Sequence, residues 1–208
     1  MNVIPQVIRD GFVRLLAPLV HLLVRLQVHP NVITTLGTLV VLGSATAFAI
    51  GWVQWGGFLL LLSGVFDLLD GRLAREGGRE TAFGAFYDST LDRVGEAALF
   101  TGIGVFFLRG GVAPSRMALG VALCFVALTA SLLVSYARAR AEGLGVECKV
   151  GIATRPVRVV ILSIGLVFAK GASLGDFGLL RPAVYVLAAL SVITVVQRTW
   201  HVRAALST

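Results

Sequence analysis

Residues 67–92 decide the fold, and they read Asp67-Leu-Leu-Asp70-Gly71-Arg-Leu-Ala74-Arg75, then eight residues, then Gly84-Ala-Phe-Tyr-Asp88-Ser-Thr-Leu-Asp92. The aspartates form two pairs, three and four residues apart. On an α-helix both spacings place two carboxylates on one face, about 5–6 Å apart at Cβ. The flanking segments 58–66 and 97–108 are apolar all round, which is typical of membrane helices. The stretch therefore predicts two carboxylate pairs at the ends of two membrane helices, joined by a short polar loop.

Four carboxylates in apolar surroundings need compensation. A single ionised aspartate deep in a membrane helix costs about 2.5–3.5 kcal/mol, and repulsion between like charges adds to this. Such a cluster persists where it is hydrated or holds cations, and an all-oxygen ligand set selects Mg²⁺, Mn²⁺ or Ca²⁺. Gly71 and Gly84 lack a Cβ and let a ligand or another backbone come close. Ala74 is small, and Arg75 offers a rigid fork for a phosphate.

The composition is that of an integral membrane protein. Of the 208 residues, 57% are hydrophobic and only 14% are charged, and the mean hydropathy is +0.88; these values favour the membrane class. The net charge of +7 could suggest nucleic acid as a partner. However, the basic residues are spread among apolar segments without a run of Lys and Arg, so we expect membrane lipids and no nucleic acid.

The N-terminal segment differs from the rest of the chain. In residues 1–29, the polar side chains of Asp10, Arg14, His21 and Arg25 form one narrow stripe on a helix, and leucines cover much of the remaining surface. This pattern is typical of a helix that lies in the membrane interface. We therefore expect a juxtamembrane amphipathic helix over 1–29 and an all-α integral membrane domain over 30–208.

Six membrane spans are expected in the second domain. Their ranges are roughly 32–52, 55–75, 84–108, 116–139, 155–169 and 179–200. Asn31 is a candidate N-cap for the first span, because Asn is a favoured capping residue. A turn over 171–178 separates the last two spans.

The basic residues predict the orientation of these spans. Of the 18 Lys and Arg residues, all but Arg109, Arg116, Lys170 and Arg181 fall on the side that holds the termini and the aspartates. By the positive-inside rule this side faces the cytoplasm. We expect a multi-pass protein of the cell (plasma) membrane with its active site facing the cytoplasm.

The aspartate stretch also resembles a known family signature. The pattern Asp67-x2-Asp70-Gly71-x2-Ala74-Arg75-x8-Gly84-x3-Asp88-x3-Asp92 is similar to that of the CDP-alcohol phosphatidyltransferases, and all eight positions agree. The resemblance implies a metal-dependent enzyme of phospholipid biosynthesis. Such an enzyme transfers a phosphatidyl group from a CDP-linked lipid to an alcohol and releases CMP. A homodimer is implied as well.

The resemblance assigns roles to individual residues. It implies two divalent cations, Mg²⁺ or Mn²⁺, held by Asp67, Asp70 and Asp88, with Asp92 as a further metal contact and as the general base for the acceptor hydroxyl. The implied CDP-lipid contacts fall in two segments. They are Gly71, Ala74, Arg75, Thr81 and Gly84 in the first, and His29, Pro30, Asn31 and Val32 in the second, where His29 replaces a threonine of the family pattern.

The acceptor alcohol is predicted from the basic residues of the second half. Arg138, Lys149, Arg155 and Arg158 are candidates for binding a phosphorylated polyol, because charge-assisted hydrogen bonds suit a phosphate. The stretch from Arg155 to Arg158, Arg-Pro-Val-Arg, resembles the Arg-Pro-Glu-Arg of prokaryotic phosphatidylinositol-phosphate synthases, from which Val157 departs. We therefore expect inositol 1-phosphate as the acceptor.

Other interpretations stay open at the sequence level. Glycerol 3-phosphate would make the protein a phosphatidylglycerophosphate synthase, and the basic loop could serve topology alone. A divalent-cation transporter would also carry intramembrane carboxylates, but it would place them near mid-span and would not need Arg75 or the two glycines. A non-catalytic relative is disfavoured because all four aspartates are present.

Overall fold

The described part of the chain is built from α-helices. The structure is a computed structural model that describes residues 6–167 and 179–207. In that part no strand occurs, and the helices are α1 (Gln6–Arg25), α2 (Pro30–Ala49), α3 (Val53–Glu76), α4 (Ala82–Phe106), α5 (Pro114–Glu142), α6 (Arg155–Val167) and α7 (Leu180–Leu206). A π-helical turn, Phe107–Gly111, follows α4. The all-α prediction is confirmed.

The six helices α2–α7 occupy the six ranges expected from hydropathy. Three of the described helices, α2, α5 and α7, are long and apolar enough to cross a membrane. Helices α3 and α4 carry the four aspartates, and α6 is described over only 13 residues. The expected end of the fifth span at 169 and the turn at 171–178 lie outside the described residues.

The start of α2 differs from the sequence prediction. The helix begins at Pro30, and its N-cap is His29 rather than Asn31. The ring Nδ1 of His29 accepts a hydrogen bond from the backbone N–H of Asn31 at 3.2 Å. A ring nitrogen thus satisfies one of the unpaired N–H groups of the first turn, and Pro30 fits the first helical position because it has no N–H to satisfy.

Helix α2 is the central contact element of the N-terminal half. It packs against both α3 and α4, whereas α1 packs on α3. In the C-terminal half α5 packs against α4 and α7, and α6 packs against α3 and α7. The main apolar core includes Phe48, Leu60, Ile103, Phe107 and Leu187. A smaller cluster, in which Val20 meets Ile33, Leu69 and Leu73, attaches α1 to the ends of α2 and α3 that lie near the aspartates.

The contact between α2 and α4 depends on the absence of side-chain atoms at Gly102. A Cβ at this position would overlap the backbone carbonyl of Ala45. The backbones of the two helices therefore approach as closely as small residues permit, as is common in membrane helix packing.

We predict that Gly102→Ala separates α2 from α4 and lowers the melting temperature in detergent. A backbone atom cannot move aside as a side chain can, and overpacking of this kind costs about 1–3 kcal/mol. Gly104→Ala is the matched control, because it lies on the same helix and nothing is within 4 Å of its would-be Cβ. Equal melting temperatures for the two variants would contradict the proposed contact.

Candidate active site

The predicted site lies where α3 ends and α4 begins. Helix α3 ends at Glu76, and the loop that follows turns back at Gly78, whose φ of 61° is readily adopted by glycine. Helix α4 starts after Thr81, whose Oγ1 accepts a hydrogen bond from the N–H of Gly84 at 2.9 Å. The four aspartates lie within three to four turns of this loop, two on each helix.

Asp70 is the most buried of the four aspartates. Only 7% of the surface of Asp70 is exposed. Its Oδ2 accepts a hydrogen bond from Thr34 Oγ1 on α2 at 2.7 Å. The carboxylates of Asp67 and Asp88 are near enough to repel that of Asp70 electrostatically. Asp70 on α3 is thus within electrostatic range of Asp88 on α4.

Asp92 lies one turn beyond Asp88 on α4. Its side chain is 13% exposed, and its Oδ2 is 3.4 Å from Nη2 of Arg93. The position one turn from Asp88 agrees with the helical spacing from which its role was predicted.

The donor chemistry of this site suits a divalent cation. Carboxylate oxygens are the ligands that Mg²⁺ and Mn²⁺ favour, and mutually repelling carboxylates gain from a cation between them. Among the residues that the structure describes, however, no three acidic, histidine or cysteine side chains come close enough to hold a metal ion together. The convergence of all four aspartates on a metal centre stays a prediction.

The predicted CDP-lipid contacts come from α2, α3 and the start of α4. The side chain of Asn31 reaches α4: a Cβ at Gly84 would lie 3.5 Å from its Oδ1 and 3.0 Å from Thr81 Oγ1. Arg75 curls back over the preceding turn, so that its Nη1 would be 3.5 Å from a Cβ at Gly71. The structure therefore brings Asn31, Thr81 and Gly84 together.

The remaining candidates of this group differ in exposure. His29, Val32 and Arg75 are exposed, Ala74 is half-buried and Pro30 is buried. Pro30 thus helps to shape the first turn of α2 rather than present a surface.

The predicted acceptor residues lie on α5, α6 and the loop between them. Arg138 is exposed and pairs with Glu142 one turn later, Nε to Oε1 at 2.8 Å. Lys149 forms an exposed pair with Glu147, and its ammonium lowers the pKa of the Glu147 carboxyl. Arg155 is the first residue of α6, as expected.

Arg158 is buried, with only 6% of its surface exposed. Its Nη1 donates to the carbonyl of Ala153 at 2.8 Å, and its Nη2 donates to Oε1 of Glu96 on α4. Its Nε, by contrast, is buried and has no hydrogen-bond partner in the structure. Since buried N–H groups in proteins are nearly always paired, this group is an exception that calls for an explanation.

For Arg198 the sequence predicts only a role in membrane topology. It lies on α7, is 5% exposed, and donates from Nε to the carbonyl of Val150 at 3.0 Å. Arg138 and Arg158 lie near enough to Arg198 to interact with it electrostatically. Three guanidinium groups from α5, α6 and α7 thus form a basic cluster. The signal in the sequence was an arginine just after the long, mostly apolar run 182–196 of α7.

Arg79 connects the loop before α4 to the segment that follows α1. Its Nη1 donates to the carbonyl of Gln27 at 2.8 Å and lies 3.3 Å from that of Val28. Gln27 itself has a φ of 53°, in the left-handed region. The link ties the loop before α4 to the segment that precedes α2.

The apolar helices, with acidic and basic clusters held between them, define an all-helical membrane protein built around a charged site. The chain belongs to the CDP-alcohol phosphatidyltransferase family, whose family model matches residues 27–200. The match includes all eight positions of the signature.

The chain is also similar to individual relatives. It is 38% identical over 203 residues to the phosphatidylinositol phosphate synthase of Cutibacterium acnes, which covers 95% of this chain and 96% of the relative. Two crystal structures of the phosphatidylinositol phosphate synthase of Mycobacterium tuberculosis share the fold at 33% identity. The form with CDP-DAG bound has a TM-score of 0.80 and covers 91% of this chain and 94% of that one. The form in complex with manganese and citrate has a TM-score of 0.79 and covers 89% and 87%.

We predict that Thr34→Val lowers the initial rate of phosphatidyl transfer about ten-fold. Valine keeps the shape of threonine but removes the donor to Asp70, and a hydrogen bond to a charged group contributes about 1.5–3 kcal/mol. The matched control is Thr38→Val, because the Thr38 hydroxyl donates to the carbonyl of Thr34 within α2 at 2.9 Å and not to an aspartate. If both variants retain the wild-type rate, the orientation of Asp70 does not depend on Thr34.

Proposed function

We propose that this protein transfers a phosphatidyl-type group from a CDP-linked lipid to inositol 1-phosphate and releases CMP. The observation that carries the proposal is the complete aspartate signature in a chain similar over nearly its whole length to phosphatidylinositol phosphate synthases. The relative from Mycobacterium tuberculosis that has CDP-DAG bound supports the CDP-linked lipid as donor.

The basic cluster of Arg138, Arg158 and Arg198 supports a phosphorylated acceptor. A phosphomonoester carries nearly two negative charges and three acceptor oxygens, which match several guanidinium groups well. Arg155 and Lys149 lie near in sequence, at the start of α6 and in the loop before it, and are proposed as further contacts. Glycerol 3-phosphate has the same charged group, but the similarity to phosphatidylinositol phosphate synthases favours the inositol ester.

The proposed roles at the aspartates follow their positions. Asp67, Asp70 and Asp88 would hold the divalent cations. Asp92 would be a further ligand of a cation. Bound Mg²⁺ or Mn²⁺ would neutralise charge on the pyrophosphate of the CDP-lipid and stabilise the CMP leaving group. The manganese in the structure of a relative supports the binding of a divalent cation by this protein. That two ions bind stays a prediction.

Asp92 is proposed to accept the proton of the acceptor hydroxyl. A general base must lie within hydrogen-bond reach of the proton that it removes. Asp92 is suited to this because it lies on α4 between Asp88, on the donor side, and Glu96, which contacts Arg158 on the acceptor side.

The membrane arrangement is proposed from the helices and the charges. Helices α2–α7 would form six spans, and α1 would lie in the interface, where its exposed Leu15, Leu19 and Leu22 can enter the acyl region. The termini and the active site would face the cytoplasm at the plasma membrane, by the distribution of basic residues. A homodimer stays a prediction from the family resemblance.

The function is tested by a transfer assay with purified protein, CDP-diacylglycerol and Mg²⁺. We expect CMP release with inositol 1-phosphate, weaker release with glycerol 3-phosphate, and none with free inositol. Excess EDTA should abolish the reaction, and added Mn²⁺ should restore it. Faster transfer to glycerol 3-phosphate would replace the proposed acceptor, whereas full turnover in EDTA would exclude the metal role.

Replacing single arginines should affect the two substrates unequally. Arg155→Gln or Arg158→Gln is expected to raise the acceptor KM about ten- to a hundred-fold, since each charge-assisted hydrogen bond contributes about 1.5–3 kcal/mol. The KM for the CDP-lipid should stay near the wild-type value. Arg140→Gln, an exposed arginine on α5, is the control. If both variants keep the wild-type KM for the acceptor, Arg155 and Arg158 do not bind it and serve only membrane topology.

Asp92→Asn separates the base from the metal ligands. We expect it to abolish transfer while CDP-lipid binding is largely retained, because Asp67, Asp70 and Asp88 are still present. Asp67→Asn should instead weaken binding of the CDP-lipid, measured with the same detergent-solubilised protein. A near wild-type rate for Asp92→Asn would show that another group takes the proton.

A further inference from the structure

Glu96 joins three helices through its carboxylate. On α4, its Oε2 accepts a hydrogen bond from Ser131 Oγ of α5 at 2.9 Å, and its Oε1 accepts one from Nη2 of Arg158 on α6. Its side chain is only 13% exposed. A carboxylate buried to this extent is costly unless it is paired, so the contacts show that it has a fixed position.

The pair between Glu96 and Arg158 spans a gap in the helix packing. Within the described residues, the backbones of α4 and α6 do not approach each other closely, since α6 packs on α3 and α7. The two long side chains therefore meet between the helices. Glu96 follows Asp92 by four residues on the same face of α4, which places it about 6 Å further along the axis.

The contacts of Arg158 hold its guanidinium at two nitrogens and leave the third without a partner. Nη1 is held by Ala153 and Nη2 by Glu96, whereas Nε has no partner. An arginine has five N–H donors in a fixed plane, so fixing two nitrogens also fixes the direction of the remaining N–H groups. The plane is thereby set before any anion arrives, which reduces the entropy lost on binding.

We propose that Glu96 is a positioning residue that fixes Arg158 for the phosphate of the acceptor, one helical turn from Asp92. This inference rests on the proposed function. Glu96 offsets the charge of Arg158, and Glu142 offsets that of Arg138. The net positive charge toward the acceptor therefore comes mainly from Arg198, which donates to backbone carbonyls, and Arg158 supplies orientation. Glu96 is not proposed to touch substrate.

The test compares Glu96→Gln with wild type in the transfer assay with varied inositol 1-phosphate. Glutamine keeps the shape but loses the charge, so we expect the acceptor KM to rise about ten-fold while the CDP-lipid KM stays within about two-fold. Glu76→Gln is the matched control, because Glu76 also pairs with an arginine, Arg72, at 2.5 Å but on the exposed end of α3. Equal changes in both KM values, or none in either, would overturn the proposal.

A double-mutant cycle with Arg158→Gln separates positioning from packing. If Glu96 acts through Arg158, the change at Glu96 should add little to the acceptor KM of the Arg158→Gln variant, because coupled residues are not additive. Additive effects would mean that Glu96 only supports the helix packing. Should Glu96→Gln fail to fold, Glu96→Asp retains the charge with a shorter reach, and a rise confined to the acceptor KM is again expected.

The same assay distinguishes this proposal from the function on which it rests. If the wild-type protein prefers glycerol 3-phosphate, the proposed acceptor is wrong. The double-mutant cycle of Glu96 and Arg158 is then run with glycerol 3-phosphate, and its result still decides the role of Glu96. If wild type uses no phosphorylated alcohol, both proposals fail. If wild type uses inositol 1-phosphate and Glu96→Gln is unaffected, only the positioning role fails.

Discussion

A charged side chain that is buried among apolar helices must find a partner, and this requirement organises the site. Asp70 accepts a hydrogen bond from Thr34, and Arg158 is held by Glu96 and Ala153. Arg198 donates to the backbone carbonyls of α5 and of the loop after it. Leaving any of these charges alone would cost several kcal/mol, of the order that breaking a buried ion pair costs. Polar contacts therefore join the helices around the site, in addition to the apolar contacts of the core.

Small residues decide which of these partners can meet. The absence of a Cβ at Gly102 lets α4 approach α2 at Ala45, and a Cβ at Gly37 would crowd Phe66 of α3. Because α2 packs closely on both neighbours, Thr34 reaches Asp70 of α3, and Asn31 on the same helix reaches Gly84 of α4. The position of α2 between α3 and α4 thus sets the geometry of the donor side of the site.

Local patterns predicted much of this arrangement. The apolar runs located α2–α5 to within a few residues, and the aspartate spacing placed the two pairs on two consecutive helices, α3 and α4, because both patterns are local in sequence. The N-cap of α2 was missed because capping preferences favour Asn over His, although the ring nitrogen of His29 serves equally well here. The pair between Glu96 and Arg158 was also missed. Its members are 62 residues apart in sequence, and their meeting depends on how α6 packs, which no local pattern contains.

The contact of Arg79 with the backbone after α1 has a mechanical consequence. One guanidinium joins the carbonyls of Gln27 and Val28 to the loop from which α4 starts, so that the two segments are held together by hydrogen bonds as well as by the chain. If α1 lies in the membrane interface as proposed, a change in its depth or tilt would act through this contact on the loop and on Thr81 at its end. The surrounding lipid would in this way be coupled to the start of α4, where the CDP-lipid is proposed to bind.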